Sequence, residues 1–271
     1  NCMGLFYKNE VAGSGVSKDR SGERSFSGYW RLLFRKSGTI LKINFVYFLF
    51  CLPVVTFGPA TAAMTAMMRN IYLERPQFIF HDFFKLFKEN FKKSLFIGIL
   101  DVAAMVSTYL LLTVFLSDPE TESAEKVWIY VCFGLEALFA LANFYIYQQI
   151  AALDLPLGSI VKNSLILMCV NLKGFIVLVL FAGYGSLVWS FPLIALIAAP
   201  FFPLAWLGYT AVFCCYPTLQ KHLINPYYER TGEKNPEIIE TDEEKALFRD
   251  SGGSDRPIDV SKETRGKKVI K

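Results

Sequence analysis

From Thr39 to Leu219 the chain is laid out in long apolar blocks, separated by short stretches that are polar, charged or rich in proline. A helix needs roughly 20 mainly apolar residues to cross about 30 Å of hydrocarbon, and several blocks reach that length. A helix also satisfies its own backbone donors and acceptors in lipid, and the alternating strands of about ten residues that mark a membrane barrel are absent. The pattern predicts an all-α membrane protein, a polytopic bundle of about five to six spans with interfacial amphipathic helices.

Taken in order, residues 1–25 are rich in Gly, Ser and charge and read as a flexible arm with no apolar signal core, Met3 being the expected start. In residues 26–36, Phe26, Tyr29, Trp30, Leu33 and Phe34 recur at helical spacing with Arg31, Arg35 and Lys36 between them. This suits a helix lying in the membrane interface, or a cytoplasmic helix packed on protein. An apolar segment opens at Thr39 and is interrupted by Leu52-Pro53-Val54-Val55-Thr56-Phe57-Gly58-Pro59-Ala60-Thr61. Proline removes a backbone donor and disfavours helix in the residue before it, so Pro53 and Pro59 are expected to bend or break the helix on both sides of Thr56. The loosened backbone must then be buried in protein or line a polar cavity. Pro53, Thr56, Gly58, Pro59 and Thr61 accordingly form a candidate structural or partner-contact motif.

Arg69, Arg75, Lys85, Lys88, Lys92 and Lys93 follow closely, a concentration that the positive-inside rule places in the cytoplasm. Among them Phe83, Phe84, Phe87 and Phe91 belong to an aromatic amphipathic segment, read as interfacial or as a docking surface. Residues 94–117 form a span with Asp101, residues 118–125 an acidic outer loop, and residues 127–153 a returning span with Glu136, Asn143, Gln148 and Gln149. Residues 159–171 are amphipathic, residues 173–189 and 204–219 are spans, and the uncharged, proline-containing residues 190–203 form an outer turn. The domain organisation is an arm (1–25), a membrane domain (26–224) and a charged, largely disordered cytoplasmic tail (225–271), in which residues 237–240 and 246–248 are candidate short helices. Residues 90–96 and 171–176 each close an amphipathic segment and open a span, a weak internal repeat.

Charge also bears on the proline-glycine stretch. Placing the basic N-terminal region and the basic residues 69–93 both in the cytoplasm requires the chain to go in and come back between Lys42 and Arg69. The two short arms then make a tight hairpin that barely reaches the far side or re-enters. A single kinked span with the N-terminus outside is the alternative.

Composition agrees with the membrane reading, at 53% hydrophobic residues, 15% aromatics and a mean hydropathy of +0.35. A net charge of +4 is too small to point to nucleic acid. The six cysteines make no CxxC pair and the histidines are only His81 and His222, so neither a metal site nor a cofactor is expected. No GxSxG, HExxH, Walker or GxGxxG pattern in a fitting context occurs, which argues against an enzyme. Asp101 and Glu136, the carboxylates inside expected spans, are functional candidates because charge is costly there. Asn143 shares a helix face with Glu136, and a purely structural role for this polar stripe is the competing reading.

Residues Leu52-Pro53-Val54-Val55-Thr56-Phe57-Gly58-Pro59-Ala60-Thr61-Ala62-Ala63, followed by Asp82-Phe83-Phe84-Lys85-Leu86-Phe87-Lys88-Glu89-Asn90-Phe91-Lys92-Lys93, resemble the signature of the YesL family of small bacterial membrane proteins. The resemblance covers residues 28–225. It implies a multi-pass protein of the bacterial cytoplasmic membrane associated with carbohydrate uptake, and the charge pattern places both termini in the cytoplasm. On that reading the chain is a non-enzymatic accessory subunit of an oligosaccharide importer of the ATP-binding-cassette class, touching the permease and, indirectly, the ATPase. An independent transporter or proton-coupled channel using Asp101 and Glu136 is the alternative.

Overall fold

No proline falls between Phe26 and Cys51, and apolar residues recur there at helical spacing, so the first element is one helix, α1 (Phe26–Cys51). Sequence divides this stretch into an interfacial helix and a separate span. The computed structural model, which describes residues 26–117, 123–201, 203–232, 235 and 237, joins them. The arm, residues 118–122 of the acidic loop and most of the tail lie outside the described residues.

Pro53 ends α1, and a single 3-10 turn (Val54–Thr56) leads into α2 (Phe57–Tyr72). The Thr56 hydroxyl shares its proton between the Phe50 carbonyl near the end of α1 (2.6 Å) and the Pro53 carbonyl (2.7 Å). Pro59 does not break α2. It sits in the first turn, where a missing N–H costs nothing.

Helices α1 and α2 run back to back as a hairpin. The Tyr47 hydroxyl meets Thr61 Oγ1 at 3.2 Å near the turn, and Arg35 Nη2 donates to Glu74 Oε2 at 2.7 Å at the open end. These cross-links exclude a single kinked span. Glu74 itself has φ 54°, closing α2 in a left-handed cap in which Arg75 N–H reaches the Asn70 carbonyl at 2.9 Å.

Small residues let α2 approach its neighbours closely. Gly58, Ala60, Ala62, Ala63 and Ala66 are all buried, and the backbone of Gly58 crosses that of Gly98 on α3 (Ile79–Ser117) with no room for a side chain.

Helix α3 carries the basic aromatic segment and the following span without interruption. It pairs antiparallel with α4 (Ser123–Ala152), and Lys93 Nζ donates to Asp154 Oδ1 (2.6 Å) and to the Leu155 carbonyl (2.9 Å) where the apolar parts of both begin. We call this the basic end of the molecule. Beyond it the pair is apolar outside as well as inside: only 17% and 11% of the most apolar stretches of α3 and α4 are buried. Such surfaces suit lipid. Helices α3 over Ile79–Phe115 and α4 over Val127–Ala152 are long and apolar enough to cross a membrane, and two bent helix pairs raise the number to up to four if each is one span. The described chain is therefore that of an all-α membrane protein.

From the Gly58 crossing at Gly98, α3 continues to Phe115, a rise of about 26 Å at about 1.5 Å per residue. The α1–α2 hairpin is thus crossed well short of the far end of α3. The exposed turn residue Val55 offers a check. In a background without native cysteines, Val55→Cys in sealed vesicles is expected to resist a membrane-impermeant maleimide from either side. Labelling from the side opposite the basic end would show a turn that crosses completely.

The bent pairs complete the bundle. Helix α5 (Leu157–Val170) meets α6 (Gly174–Ser190) at 99°, and Asn171 holds the corner by accepting from Lys173 N–H (3.0 Å) and donating to the Cys214 carbonyl (3.0 Å). The related stretch at Asn90 lies inside continuous α3, so the two segments of the weak repeat have different shapes.

Helices α7 (Pro192–Ala198) and α8 (Pro203–Leu219) are separated by a break at the prolines. Fully buried Asn44 of α1 clasps this break, donating to the Ala199 carbonyl at 2.7 Å and accepting from Ala205 N–H at 2.8 Å. Asn44→Leu leaves both backbone groups unpaired, and at about 1–3 kcal/mol per buried unsatisfied group we expect a loss of about 2–4 kcal/mol, read as a lower thermal midpoint in detergent.

The main core gathers α1, α2, α8 and the basic-end halves of α3 and α4. A turn of π-helix (Gln220–Ile224) follows α8 and passes directly into α9 (Asn225–Thr231), so the chain remains helical past the start of the expected tail.

Candidate functional site

The intramembrane carboxylates occupy separate places on the α3–α4 pair. Asp101 of α3 accepts from Asn143 Nδ2 and from the Tyr147 hydroxyl, which stand one turn apart on α4. Glu136 of α4 accepts from the Ser107 hydroxyl and from Thr108 Oγ1, the latter at 2.6 Å. Asp101 and the Glu136 partners are about two turns, or about 10 Å, apart along α3. Asn143, which shares a face with Glu136, therefore serves Asp101 instead. All these hydrogen-bond donors are neutral. The geometry locks two helices in register through polar contacts inside an apolar pair.

The proline-glycine motif is mostly turned inward. Gly58 and Pro59 are buried, Thr61 donates to the Phe57 carbonyl at 2.8 Å and faces Tyr47, and Thr56 is spent on the end of α1. Pro53 is exposed beside Leu52, Val54 and Val55, so the outward surface of the motif is its turn.

The aromatic segment divides by face. Phe83 and Phe87 are core residues, with ring centroids 5.2 and 5.1 Å from that of Phe50, and Phe91 packs against the same core. Of the four candidate docking aromatics, Phe84 is the exposed one, at 45%, with Lys88 Nζ 4.3 Å above its ring. Phe80, Lys88 and Lys92 are exposed with it at successive turns of α3, and Lys85 is exposed beside it.

Among the described residues, the most heavily bonded polar centre is one that sequence reading assigns to cytoplasmic charge. Arg69 follows Ala62 and Ala66 on one face of α2 and is buried. Its Nη1 donates to the Ala151 carbonyl (3.0 Å), its Nε to the Tyr216 hydroxyl (2.9 Å), and its Nη2 to Glu237 Oε1 (3.1 Å). Tyr216 also donates to Glu237, and Gln220 Nε2 reaches Glu237 Oε2 at 3.0 Å. The side chains of Arg69 and Glu237 are 6% and 1% exposed. Burial disfavours the Arg69 charge, but Tyr216 and Glu237 outweigh it and hold the guanidinium pKa above its ordinary value. Arg75 is pushed the other way, by burial and by the nearby Arg69 charge. Four parts of the chain thus converge on one permanently charged group.

Between α6, α7 and α8 lies an apolar cavity of about 640 Å³, walled by Tyr184, Leu187, Phe191, Ile194, Trp206 and Leu207 among others.

Residues 39–114 match the model of the DUF624 family, described as a protein of unknown function. The DUF624 match runs from within α1 through the hairpin turn and most of α3, and so contains the Gly58–Gly98 crossing, Arg69, Asp101 and the exposed stripe around Phe84. No curated protein and no solved structure matches the chain.

Proposed function

We propose that this chain is a non-enzymatic accessory subunit of a carbohydrate importer of the ATP-binding-cassette class, docking on the permease through the outward face of α3 at the basic end. The observation that carries the docking surface is the exposed stripe Phe80, Phe84, Lys85, Lys88 and Lys92, mounted on a helix whose opposite face is fixed in the core. The stripe runs about 20 Å along α3 and ends next to the Lys93–Asp154 pair, on the rigid continuation of a span. Aromatic side chains beside exposed cations suit a partner surface that is both apolar and acidic. The importer as partner rests on the YesL resemblance of residues 52–63 and 82–93. The excess of Lys and Arg supports a cytoplasmic basic end by the positive-inside rule, and the bacterial membrane rests on the same YesL resemblance. A proton-coupled transporter using Asp101 and Glu136 is the weaker reading, since each carboxylate is engaged by its own neutral partners rather than joined in a common path.

Purification from native membranes in mild detergent should bring down permease and ATPase subunits. The triple variant Phe80→Ala, Phe84→Ala, Lys88→Glu should reduce their recovery at least about tenfold, the effect of losing about 1.4 kcal/mol or more, with little change in its own thermal stability. Recovery of a monodisperse protein without importer subunits would overturn the reading.

A further inference from the structure

We infer that Arg69, Tyr216 and Gln220 form a carboxylate-binding site whose resident ligand is Glu237, so that the root of the C-terminal tail is fastened to the bundle by a releasable ion-paired latch. This does not depend on the identity of any partner.

The site is supplied from inside the bundle. Arg69 comes from α2, the Ala151 carbonyl that holds its other arm from α4, Tyr216 from α8 and Gln220 from the π-turn. The ligand alone comes from the tail. Glu237 is presented by a local turn in which its backbone N–H donates to Asn235 Oδ1 at 2.9 Å, while Asn235 Nδ2 reaches Asn225 Oδ1 at 3.3 Å. Donors on three sides converge on one carboxylate: the guanidinium and the phenol on Oε1, the amide on Oε2. A planar guanidinium that cannot give up its proton in a protein requires an anion or water when Glu237 departs. The π-turn carrying Gln220 begins three residues after Pro217, whose missing N–H disturbs the backbone ladder, and Gln220 in it turns its amide to Glu237. The sequence separation is 168 residues between Arg69 and Glu237 but only 17 between Gln220 and Glu237. Release therefore opens a short terminal loop without requiring the helices to part.

The test uses the full-length protein in detergent. Glu237→Ala removes CH2–COO⁻ from the site, a group that acetate matches in size and charge. Glu237→Ala is expected to lower the thermal midpoint, and sodium acetate to restore it saturably, whereas sodium chloride at equal ionic strength does not. In Arg69→Met/Glu237→Ala the acetate response should vanish. Because cleavage of a locally opened segment follows its open population, trypsin should cut at Arg230 of α9, inside the loop that the Gln220–Glu237 contact closes, at least about tenfold faster in Glu237→Ala than in the parent. Glu237→Gln keeps the shape and removes the charge, and is expected to speed cleavage likewise. It supplies the same readout should the alanine variant not fold. Unchanged cleavage in Glu237→Gln, or an acetate response that survives Arg69→Met, would overturn the latch.

Discussion

Replacing Arg69 by Met is expected to be among the most destabilising single substitutions in this protein. It leaves Glu237 buried beside Tyr216 and Gln220 without its cation, and breaking a buried ion pair from one side costs about 3–5 kcal/mol. The pair itself need not be strongly stabilising, because desolvation offsets much of the attraction. Arg69→Met combined with Glu237→Leu should therefore recover most of the loss, since no uncompensated charge remains. Thermal or denaturant unfolding of the two single variants and the double variant in one detergent measures the coupling. Additive losses would mean that Arg69 and Glu237 act separately, contrary to their geometry.

The second large effect is expected at the helix crossing. A Cβ placed on Gly58 would lie 2.1 Å from the Ser94 carbonyl oxygen and 2.7 Å from Gly98 Cα, and one on Gly98 would lie 2.5 Å from Gly58 Cα. All of these obstacles are backbone atoms, so no rotamer change relieves them and α2 must move away from α3. Overpacking of this kind costs about 1–3 kcal/mol and occasionally more. We expect Gly58→Ala and Gly98→Ala each at about 3 kcal/mol, and larger side chains to prevent accumulation of folded protein. Gly134 of α4 and Gly183 of α6 have open space around their Cβ positions. Alanine at either should be tolerated, which provides the control.

Much of this architecture is legible in the chain before any coordinates. Long apolar blocks predict the helices, and the excess of cations on both sides of Pro53 and Pro59 points to the α1–α2 hairpin. The two prolines have different effects because one ends a helix whereas the other occupies a first turn, a distinction that depends on where the helix begins. The continuity of α3 was readable in principle: Phe83, Phe87, Asn90, Ser94, Ile97 and Asp101 keep a spacing of three or four across Lys92 and Lys93 and are all buried. Hydropathy hides that continuity because it registers two lysines as a boundary.

Partners were less accessible than positions. Asp101 and Glu136 stand out as carboxylates in apolar segments, yet their separation into two sets depends on the register of α3 against α4. Arg69 resembles an ordinary boundary cation unless Glu237, far along the sequence, is known to return to it. Asn44 is a single polar residue in an apolar run, and its role requires knowing that the α7–α8 break lies against it. The aromatic segment offers apolar residues on two faces, so composition alone does not separate Phe83 from Phe84.

That last pair gives the most direct test of the docking account. A photo-cross-linking amino acid at Phe84, in native membranes, should form an adduct with the importer permease, whereas the same probe at Phe83, which is 0% exposed, should form none. Absence of a permease adduct at Phe84, with the probe incorporated and the protein folded, would contradict docking through this face of α3.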